Sequence, residues 1–293
     1  MNRTARPDPQ VAARATDARR VAVLTTKHGK GPVIAAGLAP AGIEVRTLER
    51  DTDLLGTFSG EVERPGPPLE TAVRKARLGM QATGTRLGVA SEGTFGPDPA
   101  LPWVTRNVEM VVLVDDLTDT TVVGRATSLT TRSFAVRIGA QEDLAAVLSG
   151  ADLPRHAVIV APASGPPRPV FKGLRTTAEV TAAVAACAAH SPDGLARIET
   201  DLRADRCPSR LEVIAAAVQD LAVRLGQHCP ACGAPGWGAE ETLTGLPCGW
   251  CAAPTTAPRA VREACPTCGH AQERGLGPPG ATADPASCPN CNP

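Results

Sequence analysis

The chain has 293 residues and balances 30 Lys+Arg against 30 Asp+Glu, so no bulk field directs it to nucleic acid or to an anionic membrane. Aromatic residues make up 2% of it and tyrosine is absent, which argues against aromatic platforms for stacking bases or single strands. The length suits one core domain of roughly 200 residues plus a small second unit.

In chain order, residues 1–18 read as a flexible arm, mixed in Arg, Pro and Asp and without an apolar signal segment. Arg20 to Thr25 is a short β-rich strand, Pro32 to Ala41 a helix and Gly42 to Leu48 a second strand. Asp51 to Pro68 shows no hydrophobic period and reads as a loop. A helix follows over Leu69 to Ala82, then strands at Arg86 to Ala90, Val108 to Val114 and Thr120 to Arg125, the last two joined by a turn. Helices at Gln141 to Leu148 and Thr177 to Ala189 flank a strand at Ala157 to Val160. Pro208 to Leu225 is the clearest helix, with Pro208 at its first position, Gly226 past its end and a stripe of Leu211, Ile214, Val218, Leu221 and Leu225. Strands alternating with helices, plus one hairpin, predict an α/β fold with a mixed sheet and flanking helices. The implied organisation is an arm (1–18), an α/β domain (19–206), a connecting helix (207–226) and a small C-terminal double zinc-ribbon domain (227–293).

That last segment carries eight of the ten cysteines as Cys-x-x-Cys pairs, Cys229/Cys232, Cys248/Cys251, Cys265/Cys268 and Cys288/Cys291. Fifteen residues separate the first two pairs and nineteen the last two, both of which fit tetrahedral Cys₄ zinc sites. Pro and Gly in the repeated CPxCG knuckle shape a turn whose backbone N–H groups point at sulfur. The segment is too poor in apolar periodicity to fold on burial alone, so two structural Zn²⁺ ions would supply much of its folding energy. Pairing in sequence order (229/232 with 248/251, 265/268 with 288/291) is the simplest arrangement, and spacing also permits an interleaved one. A disulfide framework or a rubredoxin-like iron site is the competing reading. The absence of a signal segment and of any run long enough to span a bilayer points to a reducing, cytoplasmic setting, where such cysteines bind metal. Three arginines face five carboxylates here, and eight thiolates on two Zn²⁺ add about four more negative charges, so a protein contact is favoured over nucleic acid.

Candidate chemistry lies upstream, in polar clusters placed at strand ends or before helices. Lys27, His28 and Lys30 sit in a Gly-bearing turn between a strand and a helix, which suits a phosphate or carboxylate. Asp51 and Asp53, with Glu61 and Glu63, could form part of a hard-cation site, or could cap turns and pair with Arg64. Glu70 and Lys75 share a helix but not a face. Glu92, flanked by Ser91 and Gly93 at the exit of an apolar strand, is placed to hold a metal or to act as a base on water. Lys172, in Phe171-Lys172-Gly173, is a further candidate for a phosphate or other ligand. Asp201, Arg203 and Arg210 could position a ligand or anchor the long helix through an ion pair. His156 reads as a packed histidine.

Two resemblances add to this reading. The strings TTKHGK, DTDLLGTFSGEVER, ASEGTFGPDP, FKG and ETDLRA, with the paired CPxCG knuckles, resemble an uncharacterised bacterial family, a domain of unknown function with a zinc-ribbon tail. This covers nearly the whole chain and implies no activity. The N-terminal half also resembles the inosine triphosphate pyrophosphatase family. Thr25, Lys27 and Lys30 stand in its T-x-N-x-x-K turn, with Lys27 in place of Asn. Glu70-Thr71-Ala72-Val73-Arg74-Lys75-Ala76 matches its Glu-Asn-Ala-x-x-Lys-Ala helix. Ala90-Ser91-Glu92-Gly93 stands where its strand ends Asp-Asp-Ser-Gly, so one acid is replaced by Ser91. The resemblance implies that Lys30 and Lys75 hold phosphates, and that Glu70 and Glu92 hold Mg²⁺ or orient water. The expectation is therefore a Mg²⁺-dependent hydrolase of a nucleotide or other phosphorylated small molecule. The alternative is a non-enzymatic module whose tail docks a partner protein. Convergence of Lys30, Lys75, Glu92 and Asp51 or Asp53 in one pocket is what the hydrolase requires.

Overall fold

The computed structural model describes residues 20–50 and 66–292. The arm, and with it Asp51, Asp53 and Arg64, lies outside the described residues.

The first sheet has five strands in the order β2-β1-β3-β4-β5. They are β1 (Arg20–Thr26), β2 (Ile43–Glu49), β3 (Leu87–Pro97), β4 (Thr105–Asp115) and β5 (Thr120–Ser128). β1 runs parallel to β2 and to β3, while β3, β4 and β5 form an antiparallel meander. Alternation along these strands gives each face its own core. On one face, Ala22, Leu24, Val89, Val111 and Leu113 pack against α1 (Gly31–Leu38), while on the other Val23, Ala90, Val112 and Val114 meet Ala72, Ala76 and Met80 of α2 (Pro68–Thr83).

The second sheet was not foreseen. Four strands in the order β6-β9-β7-β8 comprise β6 (Ala135–Gly139), β7 (Val158–Pro162), β8 (Phe171–Leu174) and β9 (Leu195–Thr200). A short α3 (Ala145–Ser149) precedes β7, and α4 (Thr177–His190) covers the sheet through Val180, Val184 and Cys187. The capping box between Thr176 and Glu179 starts α4.

The long helix α5 (Pro208–Gly226) is a core element of the first sheet as well as a link to the tail. Ile214, Ala217, Val218 and Leu221 lie in the same apolar cluster as β1, β3 and β4. Its backbone approaches β5 so closely that a Cβ at Gly124 would collide with the Ala217 carbonyl. His156 pins the start of α5. The ring is buried, with Nδ1 3.1 Å from Asp152 and Nε2 3.0 Å from the Ser209 hydroxyl. Burial lowers its pKa despite Asp152, and the packed reading of this histidine stands.

The tail is a three-stranded antiparallel sheet of β10 (Gly238–Thr244), β11 (Pro258–Ala264) and β12 (Ala271–Gly275). No helix among the described residues is long and apolar enough to cross a membrane.

Candidate functional site

Where β1 ends, the turn through Lys30 carries the chain into α1, and Lys30 is buried rather than solvated. Its Nζ donates to the Ser91 hydroxyl at 3.0 Å. On the other face of β3, Lys75 of α2 forms a buried ion pair with Glu92. Glu109 of β4, fully buried, accepts from Arg210 Nε at 2.7 Å and Nη2 at 3.3 Å. These groups form one electrostatic cluster. Burial pushes the Lys30 ammonium down to about 7, with Arg210 and Lys75 adding to the shift and Glu109 and Glu92 opposing it. Among the described residues, Lys30, Arg210 and Glu109 thus lie on one face of β3 and the Lys75–Glu92 pair on the other, close enough for their charges to act on Lys30.

Two expectations about this region change. Ser91-Glu92-Gly93 lies inside β3 rather than in a loop at its exit, because β3 and β4 stay paired from Leu87 to Pro97. Glu70 does not join the cluster. It sits at the exposed start of α2, 3.7 Å from Arg74 one turn on. Lys75, by contrast, shares the buried face of α2 with Thr71, four residues earlier, whose buried hydroxyl has no hydrogen-bond partner.

Of the remaining candidates, Lys27 is exposed and His28 half-buried, 4.0 Å from Asp205. Lys172 is exposed on β8. Asp201 is buried and held by Arg203 through Nε bonds of 2.8 and 3.1 Å. The Leu202 carbonyl between them accepts from Arg210 Nη1, which ties this ion pair to the cluster. The structure thus brings Lys30, Lys75, Glu92 and Arg210 together, with Asp201 and Arg203 adjoining, and leaves Lys27, Glu70 and Lys172 outside. Glu109 was missed, although it stands at i, i+2, i+4 spacing with Val111 and Leu113 and so had to face the core.

The cysteines assemble into two groups, Cys229, Cys232, Cys265 and Cys268, and Cys248, Cys251, Cys288 and Cys291, each with all sulfurs within 4.8 Å of one another. Pairing in sequence order is therefore replaced by the interleaved arrangement. The sheet imposes it. β10 and β11 are antiparallel with Gly238 opposite Ala264, so the knuckle preceding β10 meets the knuckle following β11. Gly275 lies opposite Ala260, so the chain leaving β12 arrives at the far end, where Cys248 and Cys251 wait between β10 and β11. Closest sulfur separations between knuckles of 3.6 to 3.8 Å are far beyond a disulfide bond of about 2 Å.

Both groups suit a soft tetrahedral cation such as zinc. Backbone N–H groups of Ala231, Trp250 and Thr267 donate to Cys229, Cys248 and Cys265 at 3.3 to 3.4 Å. Backbone bonds from Cys251 and Trp250 hold the Cys248 thiol down at about 7, while hydrogen bonds shared with Cys251, Cys248 and Cys288 push Cys291 of the same group up to about 12. Carboxylates are arranged differently. No group of three acids comes together among the described residues, and Glu92, Glu109 and Asp201 each engage a cationic side chain, so no ready-made Mg²⁺ cage is present there.

The first cysteine group is built into the body. Arg224 of α5 donates to the Ala239 carbonyl at 2.8 Å, its own carbonyl accepts from Gly236, and the hydroxyls of Thr120 and Thr267 lie 3.2 Å apart. Trp237, stacked on His270 with centroids 5.6 Å apart, fills the space beside Cys229 and Cys265. The second group lies at the opposite end of the small sheet.

No curated protein matches the chain. Residues 75–293, which hold Lys75, Glu92, Glu109, Arg210 and all eight knuckle cysteines, match the family described as a domain of unknown function (DUF6671), and the chain belongs to that family.

Proposed function

We propose that the α/β part binds a phosphorylated small molecule at the Lys30–Lys75–Arg210 cluster and hydrolyses it, and that the cysteine groups hold two structural Zn²⁺ ions. The observation that supports this reading is that, among the described residues, the buried basic groups of Lys30, Lys75 and Arg210 lie near enough for Arg210 and Lys75 to act on Lys30, beside the carboxylates of Glu92 and Glu109. Buried basic groups gathered in this way favour an anion nearby. The unpartnered Thr71 hydroxyl, on the face of α2 that carries Lys75, is a further donor for phosphate oxygen. The cations gather the anion and meet the charge that develops as the phosphate bond breaks. Glu92, paired with Lys75, is the carboxylate we assign to take a proton from the attacking water. Mg²⁺ would arrive on the ligand's own phosphate oxygens.

The test is a thermal-shift and phosphate-release screen of the full chain against nucleotides and simple phosphoesters with divalent metal. Stabilisation and turnover that Arg210→Met abolishes are expected. A flat response across the panel would end the hydrolase reading.

A second reading, a protein contact made by the tail, is supported by Trp250. This indole is 80% exposed on the knuckle between Cys248 and Cys251, at the end of the small sheet away from the body. Here the zinc ions hold a docking surface, and deletion of residues 276–293 would release any bound partner.

A further inference from the structure

Buried lysines and arginines are few. Among the described residues, Lys30, Lys75 and Arg210 belong to the cluster around β3, and the remaining one is Arg224, 8% exposed, in the last turn of α5. Its Nη1 donates to the Ala239 carbonyl at 2.8 Å, and its Nε has no hydrogen-bond partner. Arg224 and Arg125 of β5 line one cavity of about 200 Å³ between the body and the tail, together with Thr121, Val123, Cys265 and Pro266. Neither guanidinium forms an ion pair among the described residues. The acids nearby are engaged elsewhere: Asp220 accepts from the backbone N–H of Arg125 at 2.8 Å, and Glu240 pairs with Arg262. Burial lowers the pKa of Arg224 and Arg125 adds to the shift, with Asp220 and Glu240 opposing it from longer range.

The charge that would complete this pair lies in the opposite wall. Cys265 of the first cysteine group lines the same cavity and is itself buried. Four thiolates on one Zn²⁺ carry about two net negative charges. Trp237 packs on Cys229 and Cys265, so attraction between the loaded group and Arg224 acts largely through protein rather than through water. The second cysteine group, at the other end of the small sheet, has no buried lysine or arginine beside it among the described residues.

We infer that Arg224, with Arg125 beside it, is the counter-charge of the loaded first cysteine group, so that zinc binding there and closure of the tail onto β5 and α5 strengthen one another. The inference rests on the zinc reading of the cysteine groups. Arg224 is a positioning residue here: it touches no metal, and acts by favouring the thiolate-rich state of the group while its Nη1 holds β10. Coupling of this kind is reciprocal, so a seam that favours the loaded group is itself tightened by loading. The second group, lacking such a partner, holds its metal without reference to the body.

The test is zinc affinity, measured by competition with a chelator, in full-length chains that keep one intact group: Cys291→Ser retains the first and Cys265→Ser the second. In the chain that keeps the first group, Arg224→Gln should weaken zinc binding about tenfold, and Arg224→Lys should restore most of the loss. Arg125→Gln, on an exposed side chain with no ion pair to break, should cost about threefold and lose that effect at high salt. In the chain that keeps the second group, none of these substitutions should matter. Unchanged affinity of the first group in Arg224→Gln would overturn the inference and leave the zinc reading standing. Equal losses at both groups would show general destabilisation, and Arg224→Lys as weak as Arg224→Gln would show a role of shape rather than charge; either result also overturns it. Absence of zinc binding by both chains would remove the zinc reading and the inference together.

Discussion

Gly93 of β3 faces Glu109 of β4 across the antiparallel ladder, and the Glu109 carboxylate occupies the space that a side chain at 93 would need. Gly93→Ala should therefore push Glu109 off Arg210. Overpacking of this kind typically costs about 1–3 kcal/mol. Urea unfolding should show that loss, and ligand binding should weaken in the same variant because Arg210 moves with its partner.

The Glu109–Arg210 pair itself separates stability from function. Arg210 is 1% exposed and Glu109 0%, so removing one partner strands the other charge in the core. Glu109→Gln should cost about 3–5 kcal/mol, whereas Glu109→Leu with Arg210→Met should recover much of that loss and still bind no phosphate. A double-mutant cycle read by chemical denaturation, with anion titration of each variant, distinguishes the two effects.

Lys30 predicts a pH dependence with a definite sign. Its folded pKa, about 7, lies below the ordinary 10.5, so the unfolded chain binds more protons between those values. The burial penalty is fully present below pH 7 and fades as pH rises toward 10.5. Lys30→Met should therefore raise the melting temperature most at pH 6, with a gain that shrinks steadily toward pH 9, while abolishing anion binding. A constant gain across that range would refute the assignment.

The two cysteine groups should respond differently to metal loss. Cys265→Ser breaks the group that abuts Arg224 and Thr120, and should lower the melting temperature of the α/β part by several degrees. Cys291→Ser breaks the far group and should leave that transition within about a degree. Metal analysis should give two Zn²⁺ per intact chain and one for each variant.

Much of this was legible in the residues. α5 declared itself through Pro208, Gly226 and an unbroken apolar stripe, and β1 through a short apolar run, because both bury one continuous face. The second sheet was hidden since β6 and β9 interleave Arg137, Arg197 and Glu199 with apolar residues, and it is pairing of β9 with both β6 and β7 that makes the sheet. Lys30 and Glu92 stood out as charges beside glycines, Lys75 through the Glu70–Ala76 helix pattern and Arg210 through the polar cluster that precedes the long helix. Glu109 did not, although its alternation with Val111 and Leu113 put it on a core face, because its partner Arg210 lies 101 residues away on another element. The crossed cysteine pairing was equally beyond spacing, since it depends on which ends of β10, β11 and β12 coincide.

That crossing has a consequence for how the chain is made. Emerging from the ribosome, Cys229 and Cys232 meet Cys248 and Cys251 before either correct partner exists. An ion captured at that moment would bridge knuckles that belong to different groups and would have to leave before β11 joins β10. Refolding of the complete chain with zinc added last should therefore outperform refolding in which zinc is present from the start.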